Sequence, residues 1–205
     1  LPLDVTEHET MAEKTQVVVD SFSKIDVLIN NAGISQRSKC LDTDLAVYKK
    51  LLDVDVLGQI ALTKAVLPVM VKQQSGHIVI TSSVAGKVGV KMRTGYCAAK
   101  HAVMGFYDAL RAEVAEYGIN VSTITPGYIK TDVSKNAVTG DGSEFAEDDD
   151  DIAGGMNVDK CAAVILKGLQ KGKKEISVGE GMPMLALWMK RFFPNLVFTM
   201  VAKKA

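Results

Sequence analysis

Four short strand-like runs, each set apart from the next by a long helical stretch, limit this chain to one kind of architecture. Residues 25–30, 78–82, 121–125 and 175–178 read as strands, the second of them within the run His77-Ile78-Val79-Ile80-Thr81-Ser82. Residues 43–74, 94 to about 117, and 158–170 read as the intervening helices. Antiparallel neighbours can be joined by a tight turn, but parallel neighbours need a crossover of roughly a dozen residues or more, usually a helix. The spacing therefore predicts an α/β fold whose parallel sheet is covered by helices on both faces.

Local signals refine the boundaries. Residues 1–5 read as the tail of a further strand. Thr6 and Glu9 have the spacing of a capping box, opening a helix that runs to about Phe22. Thr43 or Asp44 caps the long helix, and Pro68 predicts that it kinks or divides. Gly118 suits the C-terminal cap of the helix that starts at Thr94. No internal repeat is visible.

With 205 residues and 47% hydrophobic content, the chain can bury a single sizeable core. Its formal net charge is zero, which gives no basic field for nucleic acid. Cys40, Cys97 and Cys161 lack metal-type spacing and read as reduced thiols, Cys97 as a helix-packing residue. His8, His77 and His101 are scattered, so no metal site is expected. No uninterrupted apolar run reaches the ~18 residues of a spanning helix.

The chemistry concentrates in residues 83–100. Tyr96 and Lys100 are four apart and share one helix face. Ser83 lies at the end of a strand. A phenol has an ordinary pKa near ~10, and a neighbouring cation favours its ionised form. A drop of ~3 units requires about 4 kcal/mol of differential interaction. Phenol, ammonium and hydroxyl at one point make a device for exchanging a proton with an alcohol or carbonyl oxygen. Tyr-x-x-x-Lys alone arises by chance on many amphipathic helices. Here it follows Asn30-Asn31-Ala32-Gly33 at the end of one apolar run and precedes Pro126-Gly127 at the end of another.

In that order and at those spacings, the four motifs resemble the classical short-chain dehydrogenase/reductase family, over nearly the whole chain. The resemblance implies a Rossmann-type, doubly wound parallel sheet and an oxidoreductase using NADP, with NAD as the alternative. It implies Tyr96 as acid-base, Lys100 favouring its ionised form and bonding the nicotinamide ribose, and Ser83 orienting the substrate oxygen. Ser82, one residue off the family spacing, reads as structural. Asn30, Ala32 and Gly33 would pack beside the adenosine ribose, Asp4 would accept from the adenine amine, and Val5 would lie on its ring. Pro126, Gly127, Ile129 and Thr131 would hold the nicotinamide carboxamide. Asn30 and Pro126 equally suit plain turn chemistry. Asp55 stands where the family has an asparagine, whose carbonyl holds a water leading to the lysine and whose amide stabilises a local helix bulge. The catalytic set is thus Ser83, Tyr96, Lys100 and Asp55.

The glycine-rich turn that holds a pyrophosphate at a helix N-terminus is absent from the sequence. By the resemblance it belongs to two strand–helix units ahead of Leu1, so the chain is expected to be a fragment lacking them. Residues 1–181 would be a partial dinucleotide-binding and catalytic domain, and residues 182–205 its apolar, basic tail. Residues 132–156 carry eight acids, Asp132, Asp141, Glu144, Glu147 and Asp148 to Asp151, and read as a solvated loop; in the family this region is a lid over the substrate. The tail, with Trp188, Phe192, Phe193 and Phe198, suits a membrane surface, the pocket wall or a homodimer contact. The stretches GHIVITSSVAGK, LRAEVAEYGINVSTITPGYIKT and FFPNLVF resemble one branch of the family. That branch implies an NADPH-using reductase on an endoplasmic reticulum or peroxisomal membrane, with a cytoplasmic location as the alternative. Its substrate would be a small carbonyl or alcohol compound, lipid-like by the same resemblance. Two other readings remain: a catalytically silent scaffold of the same fold, and an isomerase or epimerase that uses its cofactor transiently.

Overall fold

The computed structural model describes residues 1–147 and 149–203; Asp148, one of the eight acids, lies outside them. Four parallel strands form one sheet in chain order: β1 (Val27–Asn30), β2 (Gly76–Thr81), β3 (Ile119–Pro126) and β4 (Glu175–Val178). The helices are α1 (Met11–Phe22), α2 (Leu45–Leu52), α3 (Gly58–Gln73), α4 (Thr94–Glu113), α5 (Asp150–Ala153), α6 (Val158–Gln170), α7 (Met182–Phe192) and α8 (Pro194–Lys203). This is a Rossmann-type α/β fold.

Alternation along the strands sorts side chains to two faces. Leu28, Ile78, Ile80 and Val121 face α3 and α4, where they pack with Val66, Met70, Val103 and Tyr107. Val79, Ile124 and Val178 face α6, with Cys161, Ile165 and Leu169. The register pairs Val27 with His77 and Ile29 with Val79, so both β1 residues belong to the second face. Helix α6 does not reach them, and they are 50% and 55% exposed.

Several local expectations are corrected. Residues 1–5 form no strand. Asp4 Oδ1 accepts from Thr6 N–H at 2.9 Å and from Thr6 Oγ1 at 2.8 Å, so the threonine is itself capped and the capping box does not form. A short 3₁₀ turn, His8–Thr10, leads into α1 instead. Helix α3 runs through Pro68 to Gln73. The irregularity in the long helix lies earlier, at Asp53–Leu57, a π turn between α2 and α3. Such turns often mark functional positions, and this one carries Asp55. The stretch Leu45–Gln73 is long and apolar enough to cross a membrane by length and composition. Its apolar residues nevertheless serve the core, where Val47, Leu51, Val56, Val66 and Met70 are buried.

The acidic segment is only in part a solvated loop: Asp132, Asp141, Glu144, Glu147, Asp150 and Asp151 are exposed, but other residues of it are packed. Ala137, Val138, Ile152 and Met156 are buried in it, and Val138 exchanges backbone hydrogen bonds with Ser35 and Arg37. Asp149 is buried too. Its Oδ2 meets Arg93 at 2.7 Å and Arg37 at 3.0 Å, and its Oδ1 caps α5 through Asp151 N–H. Low apolar content hid this packing, because the segment is held by ion pairs and backbone bonds.

Candidate active site

Helix α4 starts at the C-terminal end of the sheet, where ligands sit in open α/β folds. Tyr96 and Lys100 lie one turn apart on it, with the Lys100 ammonium 5.5 Å from the centre of the Tyr96 ring. Lys100 is buried, as expected of a residue fixed rather than solvated. Its Nζ lies 3.4 Å from Thr81 O and 3.5 Å from Asp55 Oδ2. Ser83 has extended backbone after β2, and its Oγ accepts from Ala85 N–H at 3.1 Å. Ser82 is structural, its Oγ donating to Lys100 O at 3.1 Å.

Asp55 is wholly buried. Its Oδ1 accepts from Ile34 N–H at 2.7 Å, while Oδ2 faces the lysine. Burial pushes this carboxyl above its ordinary value, against the pull of the Lys100 ammonium and the Ile34 amide. Gly33 makes room for the pair. A Cβ there would stand 2.9 Å from Asp55 Oδ1 and 3.0 Å from Lys100 Nζ.

Ser83, Tyr96 and Lys100 line a cavity of about 960 Å³, with Pro126, Gly127, Ile129 and Thr131 along the same wall. Gly33 reaches it as well. Met182, Pro183, Ala186 and Met189 of α7 and Val197 of α8 close another side, so the tail is part of this cavity. Other expected positions lie elsewhere. The Asn30 amide is buried, bonded to Thr63 Oγ1 at 2.8 Å and Tyr107 Oη at 3.0 Å. Burial pushes the Tyr107 phenol up to about 12, so it holds this network as a neutral group. Asn31, not Asn30, lines the cavity, and its Oδ1 accepts from Thr81 Oγ1. Ala32 O accepts from Gln59. Asp4 is exposed and bonded to Thr6, and Val5 lies over Gly58, at the start of α3. Burial raises the Cys97 thiol, and its sulfur accepts from Val90 N–H, which suits packing rather than reaction.

Two contributors escaped the sequence reading. Asn31 was overlooked beside its neighbour. Gln36, in the loop after β1, bonds the first turn of α4; the available clue was that Arg93, just ahead of that helix, is a poor cap.

The cavity is suited to the nicotinamide half of a dinucleotide. The buried Lys100 lines one side of it, and the end of β3 supplies a wall of backbone and one threonine hydroxyl. A fold of this topology, with Ser83, Tyr96 and Lys100 on one cavity, defines the class. The chain belongs to the short chain dehydrogenase family, whose profile matches residues 1–142. A Dehydrogenase/reductase SDR family member 7B of Xenopus tropicalis is 40% identical over 202 residues, which are 98% of this chain. The chain spans 65% of that relative's length. A short-chain dehydrogenase from Streptomyces avermitilis superposes with a TM-score of 0.82 at 26% identity, covering 99% of this chain and 78% of the other. ElxO, solved with NADP bound, gives a TM-score of 0.61 at 36% identity over 62% of this chain and 52% of its own.

Proposed function

We propose that the chain supplies the catalytic and nicotinamide-binding part of an oxidoreductase acting on a carbonyl or alcohol substrate. One observation carries this reading: Ser83, Tyr96 and Lys100 meet on a single cavity, two of them on one rigid helix face. Bound NADP(H) would supply or take up the hydride. Ser83 Oγ donates to the substrate oxygen and holds it near Tyr96. The Tyr96 hydroxyl exchanges the proton with that oxygen. The Lys100 ammonium stabilises negative charge on the phenol oxygen and binds the ribose, its own position fixed by Thr81 O and Asp55. Pro126, Gly127, Ile129 and Thr131 orient the carboxamide. Asp55 leaves the lysine in place, so its presence does not favour the silent-scaffold reading.

NADP is proposed over NAD because ElxO, 36% identical, holds it. A lipid-like substrate is supported by the apolar wall from α7 and α8, and by the branch resemblance that also suggests an endoplasmic reticulum or peroxisomal membrane. In the full-length protein, Tyr96→Phe is expected to lower kcat by at least ~100-fold, the low end for acid-base catalysis, with NADPH affinity little changed. Retention of most turnover would remove Tyr96 from the mechanism.

A further inference from the structure

Helix α4 carries Tyr96, yet the residue ahead of it gives no cap. Arg93 has φ −136° and ψ 38° and makes no side-chain capping bond. The first amides of a helix have no intrahelical acceptor, and a Ser, Thr, Asp or Asn at the cap normally serves those of the second and third residues. Here the acceptor comes from another loop. Gln36 Oε1 takes the Gly95 N–H at 2.7 Å and the Tyr96 N–H at 3.3 Å.

Gln36 is 0% exposed. Its Nε2 donates to Ser38 Oγ at 3.1 Å and Thr43 Oγ1 at 3.3 Å, and those two hydroxyls bond each other at 2.7 Å. Backbone amides only donate, so the amide oxygen must face α4 and the nitrogen the hydroxyls. Gly95 permits the approach: a Cβ would stand 3.0 Å from Gln36 Oε1, 2.8 Å from Tyr48 Cδ1 and 2.7 Å from Leu51 Cδ1.

We infer that Gln36 is the positioning residue for Tyr96, an inference that rests on the catalytic reading of Tyr96 above. The first turn of a helix is the part most prone to fray, and in this chain it holds the phenol. An amide oxygen, its side chain fixed from behind by two hydroxyls, ties down the Tyr96 backbone. Misplacing a reacting group by about 1 Å costs on the order of 100-fold in rate.

The test uses the full-length enzyme. Gln36→Met keeps the length and burial of the side chain but removes the acceptor, and Gln36→Glu restores it. Gln36→Met is expected to lower kcat by about 10- to 100-fold, with the KM for the cofactor moving less than about 3-fold. Gln36→Glu should bring kcat back to within about 3-fold of wild type. Thermal melts confirm that each variant is folded at the assay temperature. A folded Gln36→Met enzyme with wild-type kcat, or a Gln36→Glu enzyme as slow as Gln36→Met, overturns the inference. If Gln36→Met does not fold, Gln36→Asn replaces it; this keeps the amide but shortens its reach, with the same expected loss and the same overturning result. Tyr96→Phe, run alongside, separates the two readings. Full activity in that variant sinks the catalytic assignment, whereas an inactive Tyr96→Phe beside an unimpaired Gln36→Met sinks the positioning role alone.

Discussion

Asp55 holds a carboxyl buried from solvent, with one amide donor and an ammonium at 3.5 Å. Because burial raises its pKa in the fold, the protonated form is favoured there, and the sign of the linkage follows. Its contribution to stability is fully present below the ordinary value of 3.8 and is lost as pH rises through the raised value. Asn at this position keeps an oxygen for Ile34 and does not ionise. Melts of wild type and Asp55→Asn from about pH 4 to about pH 8 should therefore show the variant gaining on the wild type as pH rises. The slope carries the test, and a flat difference would mean that Lys100 fully compensates the buried charge. Turnover of the variant should be preserved or raised, since the family pattern has asparagine here. A clear loss in steady-state kinetics would show that Asp55 is tuned to this site.

Among the elements, the segment between β3 and α6 depends most on a single side chain. Asp149 ties it to Arg37 after β1 and to Arg93 before α4, all beside the cavity. Breaking a buried charge pair from one side strands the partner and costs about 3–5 kcal/mol; with Arg37 partly exposed, about 3 is expected. Asp149→Asn should lower the denaturant midpoint accordingly and open residues 132–147 to limited proteolysis. An unchanged midpoint and digestion pattern would mean that backbone pairing alone holds the segment. The same segment shows what pattern reading can and cannot reach. Val158–Gln170 and Glu175–Val178 were legible to the residue, because Asn157 caps the helix through its own side chain and the strand alternates polar and apolar residues. The Tyr96–Lys100 face was legible because helical spacing places it. The failures involve partners distant in sequence. Thr6 was expected to cap, but Asp4 reached it first. Pro68 was expected to kink or divide the helix, and packing carries it through undivided. Asp149 looked as solvated as the acids around it, because Arg37 and Arg93 lie far away along the chain. Gln36 left no periodic trace at all.

At the scale of the whole molecule, α7 and α8 give the surface its polarity. Leu185, Trp188, Phe192, Phe193 and Leu196 are all about half exposed, and the charges from Met182 to Lys203 are Lys190, Arg191 and Lys203. Exposed aromatic and aliphatic side chains with purely basic neighbours suit the boundary of an anionic bilayer. Trp188 is the sole tryptophan of the chain, so its emission reports this surface directly. Vesicles with anionic lipid should shift that emission to the blue, and Lys190→Glu with Arg191→Glu should abolish the shift. No shift, together with a dimer in sedimentation, would assign the face to a second copy of the chain instead. The order of the sheet has a consequence for how the molecule is made. As the ribosome delivers these strands, β2, β3 and β4 each emerge with a partner already synthesised on one side, and among the described strands none has to be inserted between two others. The connections, residues 31–75, 82–118 and 127–174, are of similar length. Loop-closure entropy grows only with the logarithm of length, so no step is much harder than the one before. These four strands can zip from β1 towards β4 in the order of translation.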